Sequence, residues 1–267
     1  MDLKELESGV NPNTHWYYQS KKWPLVRFVK KIFREQKRKV VLVDVGSGSG
    51  FFMYELLKLM PEMIDKVWLV DINYSEAEVK ETIGKQVEKT INLPPVIEHA
   101  VIVMMDVLEH IEDDLAILIE IKKRCVGKNH FFITVPAFMD LWSGHDVYLG
   151  HYRRYTSKTL NALLTNAKIS KHKIFYLFAG IFPMVWSIRK LNKKSKETQS
   201  NMKPSHPIVN TVLRAYNSFE MNFSRMNKLF GVDSMLGKSV SLGFRFPTLP
   251  TSIFRCHFIY RNVVELL

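Results

Sequence analysis

One stretch constrains this chain more than any other: Val41-Leu-Val-Asp44-Val-Gly46-Ser-Gly48-Ser-Gly50, an apolar run that empties into three closely spaced glycines, followed by helix-forming residues from Phe51. A run of this kind reads as a buried strand, a glycine loop and a helix start. Glycine reaches backbone angles closed to other residues and lets a ligand approach the main chain directly. A loop of this kind at the carboxyl edge of a parallel sheet can hold an adenosyl group. Dinucleotide enzymes place a related G-x-G-x-x-G turn at the same topological point, so the glycines alone leave more than one cofactor open.

The rest of the chain supplies the sheet that such a loop needs. Short apolar runs at Val40 to Val45, Val67 to Val70, Ala100 to Met105 and Phe131 to Val135 alternate with amphipathic stretches at Phe51 to Leu59, Glu76 to Val87 and Asp114 to Arg124. A third strand is expected near Thr90 to Leu93. Alternation of this type predicts an α/β fold, a Rossmann-like, doubly wound, mostly parallel seven-stranded sheet with helices on both faces. Thr156-Ser157 can cap a helix carrying Leu160, Leu163 and Leu164, and Lys173 to Phe178 reads as the next strand. At 267 residues, one catalytic core with additions is expected. The chain divides into an aromatic and basic arm with a helix (1–38), a core (39–178), a helical insertion with a basic linker near the C-terminus (179–231) and a tail (232–267). The tail can complete the sheet, with Ser252 to Tyr260 as its candidate strand.

The chain is 46% hydrophobic and 24% charged, far from the composition of disorder. Two distant cysteines, Cys125 and Cys256, and no leader-like N-terminus point to a reducing cytoplasm. The formal charge of +12 concentrates in two patches, Lys21 to Lys39 with nine basic residues and Arg189 to Lys196 with five. The first also carries Leu25, Val26, Val29, Ile32 and Phe33 at helical spacing, which predicts a helix with one apolar face and one solvated basic face. Ile174 to Ile188 is strongly apolar but too short to span a bilayer comfortably. Burial against the core is favoured over an interfacial anchor. Weak peripheral contact with the inner face of a membrane is the second expectation. No zinc-type spacing and no aromatic-interleaved RNA motif is present, so neither a metal nor specific nucleic-acid binding is expected.

A second strand, Val67-Trp-Leu-Val, closes on Asp71, whose carboxylate can accept both hydroxyls of a ribose. Nicotinamide enzymes share that feature. What separates the classes is Val103-Met-Met-Asp106-Val107-Leu-Glu109-His110-Ile-Glu-Asp113-Asp114. Here the chain resembles the type 11, 12 and 23 methyltransferases of the class I superfamily, in which a fourth strand ends in such an Asp-x-Leu-Glu-His run. The resemblance continues through Thr134-Val-Pro136-Ala and Leu141-Trp142-Ser-Gly-His145-Asp146-x-x-Leu-Gly150-His151-Tyr-Arg153-Arg154-Tyr155. That segment is similar to one in bacterial members found among glycan and cell-envelope genes. His15-Trp-Tyr-Tyr-Gln-Ser-Lys-Lys-Trp23 looks like their N-terminal arm.

The resemblance implies S-adenosyl-L-methionine as cofactor, held by Asp44, Gly46, Ser47, Gly48, Gly50, Asp71, Ile72, Asp106 and Val107. It implies methyl transfer to a small-molecule or saccharide-like acceptor, with oxygen the expected atom. No clear acidic partner for adenine stands between Ile91 and His99. A hydroxyl acceptor needs a base, and histidine suits that task near neutral pH. His145 is the first candidate, ahead of His151 and His110, all placed after strand ends where open α/β sheets bind ligands. Trp142, Asp146, Arg153, Arg154 and Tyr155 are candidates for acceptor binding, and Arg matches phosphate or carboxylate oxygens in pairs. Pairing of the arginines with Asp140 or Asp146 inside the protein is the competing reading. Two other functions are weighed: a nicotinamide-dependent oxidoreductase, and a basic membrane-surface module on a vestigial cofactor fold.

Overall fold

The computed structural model describes residues 9–169, 172–178, 186–187, 206–229 and 261–266. In chain order the elements are α1 (Trp16–Gln36), β1 (Val40–Val45), α2 (Phe51–Leu59), β2 (Ile64–Val70), α3 (Glu76–Thr82), β3 (Val87–Thr90) and β4 (Ile97–Glu98). They continue with β5 (Ala100–Met105), α4 (Asp114–Arg124), β6 (Cys125–Val126), β7 (His130–Pro136), α5 (Gly144–Leu149), α6 (Ser157–Asn166), β8 (His172–Leu177), α7 (Pro207–Leu229) and β9 (Arg261–Leu266).

Seven strands form one sheet in the order β3-β2-β1-β5-β7-β9-β8, and β4 pairs with β6 apart from it. The pairings from β3 across to β7 are parallel, whereas β9 runs antiparallel to both of its neighbours. Every residue of β5 and β7 is buried. Strands covered on both faces have no polar side to present, which is why these two read as mostly apolar runs instead of alternating ones. On one face, Leu25, Phe28, Val29 and Ile32 of α1 pack with Met53 and Leu56 of α2. On the other, Leu118 and Ile121 of α4 pack with Leu160 and Leu164 of α6. The chain moves outward from β1 to β3 and then returns to the far side of β1 as β5. Strand order therefore reverses between β1 and β5, and the carboxyl ends of those two strands border a crevice where open α/β sheets bind ligands.

Several boundaries differ from the sequence reading. The helix expected to reach Val87 stops at Thr82, because Gly84 takes a φ of +75°. The third strand consequently begins at Val87, paired with Val67, three residues ahead of the expected Thr90. The N-terminal helix starts at Trp16 and absorbs the aromatic arm. Its basic face is not uniformly solvated: Lys21 and Lys22 are buried, and Lys22 donates to Glu55 of α2 at 2.9 Å and to Gln19 at 2.8 Å. Within the apolar stretch from Ile174, residues through Leu177 belong to β8, while 179–185 and 188 lie outside the described residues. The second basic patch and Ser252 to Tyr260 also lie outside them; the described tail strand is β9. Helix α7 falls in the expected insertion and lies against α1, where the Trp16 N–H donates to Asn210 Oδ1 at 3.0 Å. No helix among the described residues is long and apolar enough to cross a membrane.

Candidate active site

The glycine loop after β1 is built by backbone geometry. Gly46, Gly48 and Gly50 have φ of +70°, +54° and +72°, the left-handed region that side chains other than glycine rarely enter. Space enforces the same choice at two of them. A Cβ on Gly46 would stand 2.7 Å from Val107 Cγ2, and one on Gly50 would stand 2.8 Å from Leu69 Cδ1. The Gly46 and Ser47 N–H groups donate to the Val70 carbonyl at 2.8 and 3.1 Å, folding the loop back over the end of β2.

Asp71 follows that strand end. Its Oδ2 accepts from the Gly48 N–H at 2.8 Å, and its Oδ1 accepts from the Asn73 backbone and side-chain amides at 3.0 and 2.9 Å. A carboxylate offers about four lone-pair sites, so accepting capacity remains for the hydroxyls of a ribose. Ile72 beside it is 85% exposed, a bare apolar surface at the rim. Sequence reasoning missed Tyr74, whose hydroxyl donates to the Gly48 carbonyl and meets Ser47 Oγ, both at 2.8 Å. Burial, opposed by the Ser47 hydrogen bond, holds this phenol protonated well above its ordinary range. Asp44 is buried near the end of β1. Glycines that bare the backbone, an acid with accepting capacity and an exposed apolar neighbour together fit an adenosyl cofactor.

Asp106 ends β5 with a φ of +60°. Its N–H donates to the Thr134 carbonyl and its Oδ1 accepts from Thr134 Oγ1, each at 2.9 Å. Its Oδ2 pairs with Lys21, and the Lys21 ammonium lies 5.2 Å from the Tyr17 ring and 5.6 Å from the Phe52 ring. This buried pair fastens α1 to the carboxyl edge of the sheet. The aromatic and basic arm was visible in sequence; a pairing across 85 positions was not.

The other wall comes from the segment after β7. Ala137 bridges Tyr155, and the Tyr152 N–H donates to the Glu109 carbonyl at 2.7 Å, so residues 151–155 are laid against the turn that follows β5. Asp146 on α5 is fully buried. Arg154 grips it with two bonds of 2.7 and 3.0 Å and also donates to the Ala137 carbonyl at 3.1 Å. His151 Nδ1 lies 2.9 Å from Asp146 Oδ1. Burial alone would raise the Asp146 pKa, but the His151 hydrogen bond and the Arg154 charge outweigh it and hold the carboxyl well below the usual range. An ionised carboxylate only accepts, so His151 Nδ1 donates to it and Nε2 is the ring's other nitrogen. That Nε2 is buried with no hydrogen-bond partner.

The His110 and His151 rings stand perpendicular with centroids 4.6 Å apart. Glu109 is 0% exposed, no other residue hydrogen-bonds either carboxylate oxygen, and burial pushes its pKa up to about 8 against the pull of its own backbone N–H, Lys21 and Arg154. Sequence reasoning passed over Glu109 as part of the motif; its burial had no signal in one sequence. Two of the three candidate histidines are thus brought together, while His145 is buried on α5. Arg153 pairs with Asp114 at 3.1 Å, and the Tyr155 hydroxyl donates to the same carboxylate at 2.7 Å. Trp142 is half-buried after the turn at Met139–Leu141. Arg154 is thus paired with Asp146, one of the acids that the competing reading names, while Arg153 and Tyr155 engage Asp114.

A cofactor crevice at the strand-order reversal and a buried histidine–carboxylate wall beside it define the class. Residues 15–168, more than half of the chain, match the family model described as a methyltransferase domain. The chain belongs to that family, enzymes of the class that uses S-adenosylmethionine. Solved structures give more distant likenesses. The Haloferax volcanii methyltransferase in complex with its Trm112 activator is 16% identical, over 51% of this chain and 64% of that one, with a TM-score of 0.40. A methyltransferase from Bacillus halodurans is 14% identical, over 64% and 85%, also with a TM-score of 0.40. The Burkholderia thailandensis 1,6-didemethyltoxoflavin-N1-methyltransferase, solved with S-adenosylhomocysteine, is 18% identical, over 55% and 69%, again at 0.40. This chain thus spans less than two thirds of the first of these. A search of curated proteins finds no match.

Proposed function

We propose that this protein transfers the methyl group of S-adenosylmethionine to a hydroxyl oxygen of a small-molecule or saccharide-like acceptor. The observation that carries the reading is the Asp146–His151 pair, with an unpartnered Nε2 beside His110 and Glu109, after the same strand that brings Asp106 to the sheet edge.

The cofactor supplies the methyl group as an electrophile already activated by its sulfonium charge. The glycine loop and Ile72 bind the adenosyl portion, and Asp71 accepts from the ribose hydroxyls. Asp44, Asp106 and Val107 line the remaining edge. Catalysis then consists of aligning the acceptor oxygen, excluding water and handling the hydroxyl proton. We put His151 first for that proton, because Asp146 orients its ring and stabilises the imidazolium, with His110 beside it. His145 and Trp142 form part of the same wall.

Calorimetric titration of the purified protein with S-adenosylhomocysteine and with NAD tests the class, and only the former is expected to bind. Incubation with labelled S-adenosylmethionine and panels of hydroxylated and amine acceptors tests the atom. Label found only on nitrogen would overturn the oxygen assignment.

A further inference from the structure

After β5, three potential ligand side chains converge, and two of them hold buried polar atoms without a hydrogen-bond partner. Both oxygens of Glu109 and the Nε2 of His151 are buried without a hydrogen-bond partner, and the His151 side chain is only 2% exposed. One donor atom from each of Glu109, His110 and His151 lies within 4.8 Å of the other two. A carboxylate taken from water and given no donor is strongly disfavoured, and a cation in its midst removes the penalty. The neighbouring charges do not supply one. Lys21 is paired with Asp106 and Arg154 with Asp146, so neither cation is bonded to Glu109.

We propose that Glu109, His110 and His151 form a site for one divalent first-row transition ion, of the Zn²⁺ or Mn²⁺ kind, whose remaining positions take water or the acceptor hydroxyl. Two imidazoles and one carboxylate suit such ions better than Mg²⁺ or Ca²⁺, which favour all-oxygen shells. Donors bound at ~2.1 Å stand roughly 3–4 Å apart around an ion, so a small side-chain adjustment closes the present spacing. The outer layer is already in place. Asp146 accepts from His151 Nδ1 and is itself clamped by Arg154, the carboxylate–histidine arrangement that orients a ligand imidazole and raises its basicity. The main-chain bond from Tyr152 to Glu109 holds the two ligand segments together.

This inference rests on the methyl-transfer reading but replaces its proton step: with the ion bound, His151 serves as a ligand and the ion activates the hydroxyl. An ion bound to the acceptor oxygen lowers its pKa, so the proton leaves to water instead of passing to Nε2. The oxygen then forms its bond to the methyl carbon as the carbon–sulfur bond breaks, and sulfur keeps that electron pair as a neutral thioether.

The test uses the purified full chain, stripped with a chelator and dialysed. Titration with ZnCl₂, MnCl₂ and MgCl₂ is followed by calorimetry and elemental analysis, with S-adenosylhomocysteine titrated in parallel. One equivalent of Zn²⁺ or Mn²⁺ is expected, with binding weakened at least ~10-fold in Glu109→Gln and His151→Ala and roughly 10- to 100-fold in Asp146→Asn. Circular dichroism checks the fold of each variant. Should a buried variant fail to fold, the visible spectrum of the Co²⁺-loaded wild-type protein reports nitrogen ligation directly. Absence of stoichiometric binding by Zn²⁺ and Mn²⁺, or binding unchanged in the folded variants, overturns the site. S-adenosylhomocysteine binding with no ion binding would do so while leaving the methyltransferase reading intact. Failure of S-adenosylhomocysteine to bind would instead remove that reading.

Discussion

The two walls of the crevice are made in opposite ways. The cofactor wall is local: a loop of five residues and an acid at the next strand end, held by main-chain bonds to Val70 and Gly48. The acceptor wall joins two segments, the turn after β5 and residues 143–155, and its polar groups are buried and mutually dependent. Asp146 alone serves Ser143, His151 and Arg154. A wall made from backbone geometry tolerates loss of one side chain; a buried charge network does not.

That difference has its largest consequence at Arg154. Arg154→Met is expected to leave Asp146 buried and uncompensated, at a cost on the order of 3–5 kcal/mol in urea unfolding. A loss under about 1 kcal/mol would show that the network is less interdependent than its geometry indicates. Next in size, His151→Gln is expected to slow single-turnover methyl transfer by about 10²- to 10⁴-fold at saturating cofactor, with S-adenosylhomocysteine affinity retained. His145→Gln is its comparison. Buried on α5, His145 is expected to act through packing, so rate and folded fraction fall together; a rate loss in a variant of unchanged melting temperature would move the proton-handling role to His145.

On the cofactor wall, Asp71→Ala is expected to weaken S-adenosylhomocysteine binding by roughly 10- to 100-fold, the size of a lost charge-assisted hydrogen bond, with the fold kept. Unchanged affinity by calorimetry in a folded variant would remove Asp71 from the site. The smallest effect concerns the helix that spans both walls. The hydrogen bond from Lys22 holds the Glu55 pKa below its ordinary value against the opposing effect of burial. A depressed carboxyl adds stability above its unfolded pKa, and that share is lost as pH falls through the folded value. Glu55→Gln should therefore cost under about 1 kcal/mol at pH 7, with the difference from wild type shrinking as pH falls below the ordinary carboxylate range.

Much of this architecture was legible because it depends on short-range pattern. Mostly apolar runs marked β1, β5 and β7, since strands buried on both faces have no polar side to present. The glycines marked the loop, since few residues reach its backbone angles. The Asp106 to His110 run and the stretch from Leu141 to Tyr155 carried the family resemblance. Edges were less legible. The end of α3 turned on the left-handed Gly84, and the tail strand at Arg261–Leu266 is placed by pairing with β7 and β8, partners more than eighty residues away.

The sequence by itself determined the class of fold, the cofactor loop and the identity of the histidines that could serve catalysis, because each is written in contiguous residues. Only the tertiary structure decided which charges meet. It buried Lys21 against Asp106, set Arg153 against Asp114, and brought His151 to Glu109 and His110. The physical reason is that the ionisation and hydrogen bonding of a side chain depend on its solvent and its neighbours, and both are supplied by segments that the chain's own order keeps apart.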